Sequence, residues 1–268
     1  MRKTAVVVGD LHAGGLSAVW PTDAHVEGGG RYEPNAAQAW LYRQWQTMLQ
    51  EVKALRPDAV IVNGDTIQGA DRKDNSLIST NFAVQIAAAR LLLRPLRECC
   101  SQFYCIRGTE FHDGRSAQQA ESLAESLDAE IDPATEQHSR WELWLNLGGV
   151  VVHVKHAVGT TSIPQSEGSA PLRDLLALRG ELSRAYGAKA PDLRAIVRSH
   201  RHRTIHVEVP PDLHAVCVTG WQLATAFSYA KVGTLPQIGY AVLTVEDNVL
   251  GVRLRTFPLP RLRMVEVG

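Results

Sequence analysis

Val6-Val7-Val8-Gly9-Asp10-Leu11-His12 is a short apolar run that stops at a glycine and then offers a carboxylate and an imidazole two residues apart. Three β-branched residues before a glycine read as a buried strand with an abrupt end, where α/β proteins place their chemistry. If the extended backbone continues past Gly9, Asp10 and His12 lie on one side and can bind one ion together. Taken alone, the stretch also fits a surface turn with an Asp cap and an unrelated histidine, so the remaining chain has to decide.

The flanking segments repeat the pattern. Residues 13–34, with Gly28-Gly29-Gly30 and Trp20, Pro21 and Tyr32, read as a long loop insertion, expected to border the site or to be mobile without catalytic consequence. Ala39, Tyr42, Trp45, Leu49 and Val52 recur at three- and four-residue steps and predict an amphipathic helix over residues 35–55, closed by Arg56-Pro57. Ala59-Val60-Ile61-Val62 then reads as a strand that again ends in Gly-Asp, as Asn63-Gly64-Asp65. Two strands joined by one helix form a βαβ unit, which brings Asp10 and Asp65 to the same sheet edge.

Val84, Ala88, Leu91, Leu92 and Leu96 predict a second helix over residues 81–100, and Phe103-Tyr104-Cys105-Ile106 a third strand that delivers Arg107-Gly108-Thr109-Glu110-Phe111-His112. Ser116 to Gln119 resembles a capping box and predicts a helix to about Leu127. Residues 141–147 and 150–154 alternate as a hairpin that runs into Lys155-His156. After a helix over 171–185, Ala195-Ile196-Val197-Arg198-Ser199 leads to His200 and His202. Segments 207–209, 215–218, 240–245 and 249–257 read as strands, so a second sheet packed on the first is expected. Asp10, His12, Asp65, Glu110, His112, His156, His200 and His202 all fall where an expected strand gives way to a loop, five strand ends in all, which scatter does not produce.

Composition narrows the classes. Lys+Arg and Asp+Glu both number 28, so no basic excess announces a binder of long nucleic acids or anionic membranes. No stretch is apolar enough to span a bilayer, and a soluble, cytoplasmic protein of one domain, residues 1–268, is expected. Cys99, Cys100, Cys105 and Cys217 have neither zinc-finger nor disulfide-framework spacing and are expected as reduced thiols in or near the core. His153, three residues before His156 on an expected strand, faces the other way and reads as packing or surface; His25, His138, His206 and His214 have no partner pattern.

Gly9-Asp10-Leu11-His12, Gly64-Asp65, His156 and Ser199-His200-Arg201-His202 resemble, in order and in strand placement, the motifs of the calcineurin-like metallophosphoesterases over nearly the whole chain. The resemblance implies an α/β fold, a four-layer α/β/β/α sandwich of two mixed sheets flanked by helices, with the metal site at strand ends. It also implies hydrolysis of phosphate mono- or diesters by in-line attack of a metal-bridging hydroxide. By motif, Asp10, His12 and His202 would hold one divalent ion, His156 and His200 the other, and Asp65 would bridge them. Carboxylates and imidazoles suit manganese first, and also Fe, Zn, Ni or Mg.

One motif departs from that family. Where Gly-Asn-His and an acid are usual, this chain has Gly108-Thr109-Glu110-Phe111-His112. Glu110 can replace the Asn as ligand with His112 as general acid; Thr109 can contribute through water; or the second metal site is impaired. We expect the first. Arg107, Arg115, Arg201 and Arg203 are candidates for a phosphate contact, with Arg107 and Thr109 taken as the substrate-binding pair. Trp221 either lines the cleft or closes the core. The expected partner is a phosphate ester, a nucleotide or nucleic-acid end among them, and no membrane. The competing class is a catalytically weak member of the fold kept as a binding scaffold.

Overall fold

The computed structural model describes residues 2–69, 76–159, 163–231 and 235–260. In chain order its elements are β1 (Lys3–Val8), α1 (Ala36–Leu55), β2 (Ala59–Asn63), α2 (Phe82–Arg97), β3 (Gln102–Ile106), α3 (Glu110–Asp113), α4 (Gln118–Ser126), β4 (Ser139–Arg140), β5 (Glu142–Leu147), β6 (Val150–Lys155), α5 (Ser169–Tyr186), β7 (Leu193–Arg198), β8 (Ile205–Val209), β9 (Leu213–Cys217), α6 (Ala226–Lys231), β10 (Ile238–Glu246) and β11 (Val249–Phe257).

The strands nearest the opening stretch are apolar through their centres because each of their faces meets a different core. Val6 and Val8 of β1, Val60 and Val62 of β2, and Phe103 and Cys105 of β3 pack against α1, α2 and α4. Their neighbours Ala5, Val7, Ala59, Ile61, Tyr104 and Ile106 pack against the other sheet, on Leu143, Leu145, Val152, Val154, Ala195 and Val197. On the far side Leu175 of α5 covers Leu193, Ile196 and Ala215. Two mixed sheets thus lie face to face with helices outside each, the expected α/β/β/α order. The first runs β11-β10-β1-β2-β3-β4 and the second β5-β6-β7-β9-β8. Edge strand β5 alternates, with Leu143, Leu145 and Leu147 inward and Glu142, Trp144 and Asn146 outward.

Four sequence expectations are corrected. Strands β10 and β11 do not join the second sheet: β10 pairs antiparallel with β1, Thr4 opposite Thr244, and covers what would be the bare edge of the strand that carries Asp10. The buried stripe of α1 is Gln38, Leu41, Trp45, Met48 and Val52, so Ala39, Tyr42 and Leu49 lie on its half-buried flank. That helix starts with a true capping box, Asn35 accepting from Gln38 N and Gln38 from Asn35 N. The box expected at Ser116 does not form; α4 begins two residues later, with Ala117 at its start in left-handed backbone and no side-chain cap. Along α2, Leu91 is exposed while Gln85, Ala89 and Leu93 are buried.

All four cysteines are free thiols, Cys105 and Cys217 buried and the other two partly so. No helix among the described residues is long and apolar enough to cross a membrane. Residues 13–24 are held tightly, with Trp20 buried and Ala13, Gly15 and Ala18 bridged to Ile67, Leu77 and Gln222. Trp221 closes the core, edge-on to Trp45 at 4.7 Å and fully buried.

His153 is buried in β6, where Arg198 donates to its Nδ1 (3.2 Å) and its Nε2–H donates to Glu142 (3.0 Å). Burial, and then the Arg198 charge, hold it below the ordinary imidazole value. The folded state therefore binds fewer protons here than the unfolded chain, and stability declines as pH falls below about 6.5. Urea midpoints at about pH 7.5 and about pH 5.5 should lie closer together in His153→Gln than in the parent. An unchanged gap would contradict this.

Candidate metal centre

The C-terminal ends of β1, β2 and β3 in one sheet and of β6 and β7 in the other meet at one end of the sandwich. Main-chain hydrogen bonds seam them: Asp10 N to Gly64 O (3.0 Å), His12 N to Asp65 O (3.0 Å), Ser199 N to His156 O (2.9 Å) and Trp221 N to Asp10 O (2.8 Å). Asn63 Nδ2 donates to Ser199 Oγ (2.8 Å), and His200 N to Asp10 Oδ2 (3.0 Å), so both contacts cross between sheets.

The expected extended geometry past Gly9 is not what brings the ligands together. Asp10, His12, Asp65, His200 and His202 have φ of 51°, 49°, 48°, 70° and 51°, the left-handed region that non-glycine residues seldom occupy. Each costs about 1 kcal/mol or more and persists because the surrounding seam over-determines it. The strands stop at Val8, Asn63 and Arg198, and tight turns aim the side chains. Gly64, at φ 76°, allows this: a Cβ there would overlap the His156 ring.

Asp10 Oδ1 is buried and has no hydrogen-bond partner, yet the Nε2 atoms of His202, His12 and His156 surround it at 3.5, 3.8 and 3.9 Å. His156 donates Nδ1–H to Asn63 O (2.6 Å), which turns Nε2 inward, 3.1 Å from Asp65 Oδ2 but without a hydrogen bond to it. Such convergence of lone pairs without donors is what a cation satisfies. In this cluster, among the described residues, three groups of ligand atoms lie within 4.8 Å of one another: Asp10, His12 and His202; Asp65, His156 and His200; and His12, Asp65 and His112. Asp65 is shared by two of them, and the set suits a dinuclear metal site. His200, at 38 % side-chain exposure, marks the side open to solvent.

Electrostatics point the same way. Burial disfavours charge on Asp10, but His202 and His156 hold it below the usual carboxylate range; Asp65 is likewise held down by His156 against burial. Burial lowers His156, yet Asp65 and Asp10 push it up to about 10, and Asp10 raises His202 in the same way. Burial and then His112 push His12 down to about 4. Two buried carboxylates therefore demand compensating positive charge, which protons or metal ions can supply.

No family model and no curated protein sequence matches this chain. Among solved structures, a dimetal phosphatase from Danio rerio is similar at 8 % identity and TM-score 0.50, covering 95 % of this chain and 96 % of its own. The chain has the calcineurin-like metallophosphoesterase fold. Vps29 of Chaetomium thermophilum, with TM-score 0.45 and 12 % identity over 96 % of this chain and 100 % of its own, is also similar. So is a predicted phosphoesterase from Streptococcus pneumoniae, with TM-score 0.36 and 11 % identity over 95 % and 99 %.

Against that metallophosphoesterase pattern, the end of β3 differs as follows. Thr109 donates from both N (2.7 Å) and Oγ1 (3.0 Å) to Asp65 Oδ1, leaving Oδ2 for His156, His200 and His112. Thr109 thus orients Asp65. Glu110 is exposed at the start of α3 and belongs to none of the converging groups, so the structure does not bring it to the place of the missing Asn. One helical turn carries His112 back: Nδ1–H donates to Gln68 O (2.6 Å), Nε2 lies 4.0 Å from Asp65, and the ring stands edge-on to His12. Asp113 follows His112 directly, at the end of the same helical turn. Asp113 is buried, accepts from Gly108 N and is pushed up to about 7 by burial and by Asp65.

Arg107 is placed elsewhere than expected. Its guanidinium bonds Ser139 and Gln137, reaches Glu121 at 4.0 Å and lies over Trp141, all outside the cluster. Arg201 and Arg203 are both held by Glu167. On this placement Glu110→Ala should bind the same number of manganese ions per chain as the parent in equilibrium dialysis, and loss of one ion would return Glu110 to the ligand set.

Proposed function

We propose that the chain is a metal-dependent phosphoesterase that hydrolyses phosphate mono- or diesters, nucleotides or nucleic-acid ends among them, and that the described fold works as one domain. The observation that carries this is the buried, unpartnered Asp10 Oδ1 within 3.9 Å of three imidazole nitrogens. Asp10, His12 and His202 would hold one divalent ion, His156 and His200 a second, with Asp65 between them; manganese heads the candidates for this hard and borderline donor set. When bound, such ions supply Lewis acidity toward phosphate oxygens and make water acidic enough to attack near neutral pH.

The chain's own groups do the rest. Asn63 O and Gln68 O fix the tautomers of His156 and His112, so both present Nε2 to the cleft. His112 is the proton donor to the leaving oxygen, the one imidazole at the rim that the ligand assignment leaves unused. Thr109 keeps Asp65 Oδ2 aimed inward by occupying Oδ1. The absent Asn favours a second reading, a weak enzyme kept as a binding scaffold, and activity separates the two.

With manganese added, the purified chain should hydrolyse a chromogenic phosphate monoester or the matching diester. Asp65→Asn should lower kcat/KM by about 1000-fold or more, since it removes the shared carboxylate. Absence of turnover on both esters, or turnover indifferent to Asp65→Asn, would leave the scaffold standing.

A further inference from the structure

A second group of ligand-type side chains lies on β8 and β9, sharing no residue with the cluster above. β8 is the edge strand of the second sheet and pairs antiparallel with β9, Glu208 directly opposite His214. His206, two residues before Glu208, projects from the same face of β8. His206 Nε2 lies 3.0 Å from His214 Nδ1, and one ligand atom from each of His206, Glu208 and His214 falls within 4.8 Å of the others. His214 is buried, while His206 and Glu208 are exposed.

We propose that His206, Glu208 and His214 bind one divalent transition-metal ion of the zinc class, at a site independent of the phosphoesterase reading. The decisive contact is behind His214. Its Nε2–H donates to Asp212 Oδ1 (3.1 Å), and the other Asp212 oxygen is occupied by Arg194 Nη1 (2.6 Å) and Leu250 N (3.2 Å). Asp212 therefore fixes the tautomer, and the Nδ1 lone pair of His214 points at His206. A carboxylate behind a ligating imidazole is the usual support of such a metal ligand.

Without an ion, the two rings share a single proton, His206 Nε2–H donating to His214 Nδ1. A divalent ion takes that place once the His206 proton has moved through solvent from Nε2 to Nδ1, so that His206 Nε2 and His214 Nδ1 both offer lone pairs. Zinc–nitrogen bonds of about 2.0–2.1 Å separate two tetrahedral ligand nitrogens by ~3.3 Å, so the rings need open by only a few tenths of an ångström. Two imidazoles and one carboxylate suit zinc, nickel or copper better than magnesium or calcium, and water completes the exposed side. Bound there, the ion would tie the edge strand to its neighbour.

Metal-free protein dialysed against zinc and counted by mass spectrometry tests this. His206→Ala, at an exposed position, should carry one zinc fewer per chain than the parent at the same free zinc, whatever the total. Asp212→Asn should keep the ion with about 10- to 100-fold weaker affinity. Equal zinc content in parent and His206→Ala, with far-UV circular dichroism confirming that both are folded, would overturn the proposal.

Discussion

A buried carboxylate with one unsatisfied oxygen organises this molecule. Asp10 sits at the end of β1, accepts His200 N from the opposite sheet on Oδ2, and leaves Oδ1 to three imidazoles. Removing such a charge from water is expensive unless it is paired. The cost is carried by the apolar layer between the sheets, where each fully buried Val, Ile or Leu contributes about 1.5–3 kcal/mol, and by the histidines around the carboxylate. Fold and site are therefore one arrangement: the strands that bury the core end where the charge has to be compensated.

The backbone tells the same story in a different currency. Five of the six residues assigned to the two ions, all but His156, adopt left-handed φ. Strain of this kind collects where side chains must be aimed rather than packed. Here it is held by the main-chain seam from Asp10 and His12 to Gly64 and Asp65, and by Asn63 reaching Ser199 across the sheets.

Much of this was legible from residues alone. β-branched runs closing on Gly-Asp located β1 and β2, and the pairing of strand ends with Asp and His anticipated Asp10, His12, Asp65, His156, His200 and His202 as one cluster. The alternation rule, which places residues i and i+2 on one side, gave the right neighbours at Asp10 and His12 for a wrong reason, because both have left the strand. Glu110 and Arg107 went astray for a related cause. After β3 the chain turns into the single helical turn of α3, which exposes Glu110 and returns His112, and no periodicity extends over four residues. Arg107 is claimed by Gln137, Ser139 and Glu121, partners at least fourteen residues away in the chain whose proximity only the tertiary fold creates. His206 and His214 escaped notice because their pairing depends on the register of β8 against β9.

The two-ion assignment meets its most direct test in anomalous diffraction at the manganese edge from crystals grown with manganese. The account predicts two peaks, one beside Asp10, His12 and His202 and one beside His156 and His200, with Asp65 touching both. A single peak, or two peaks of which neither lies within bonding distance of Asp65, would contradict it.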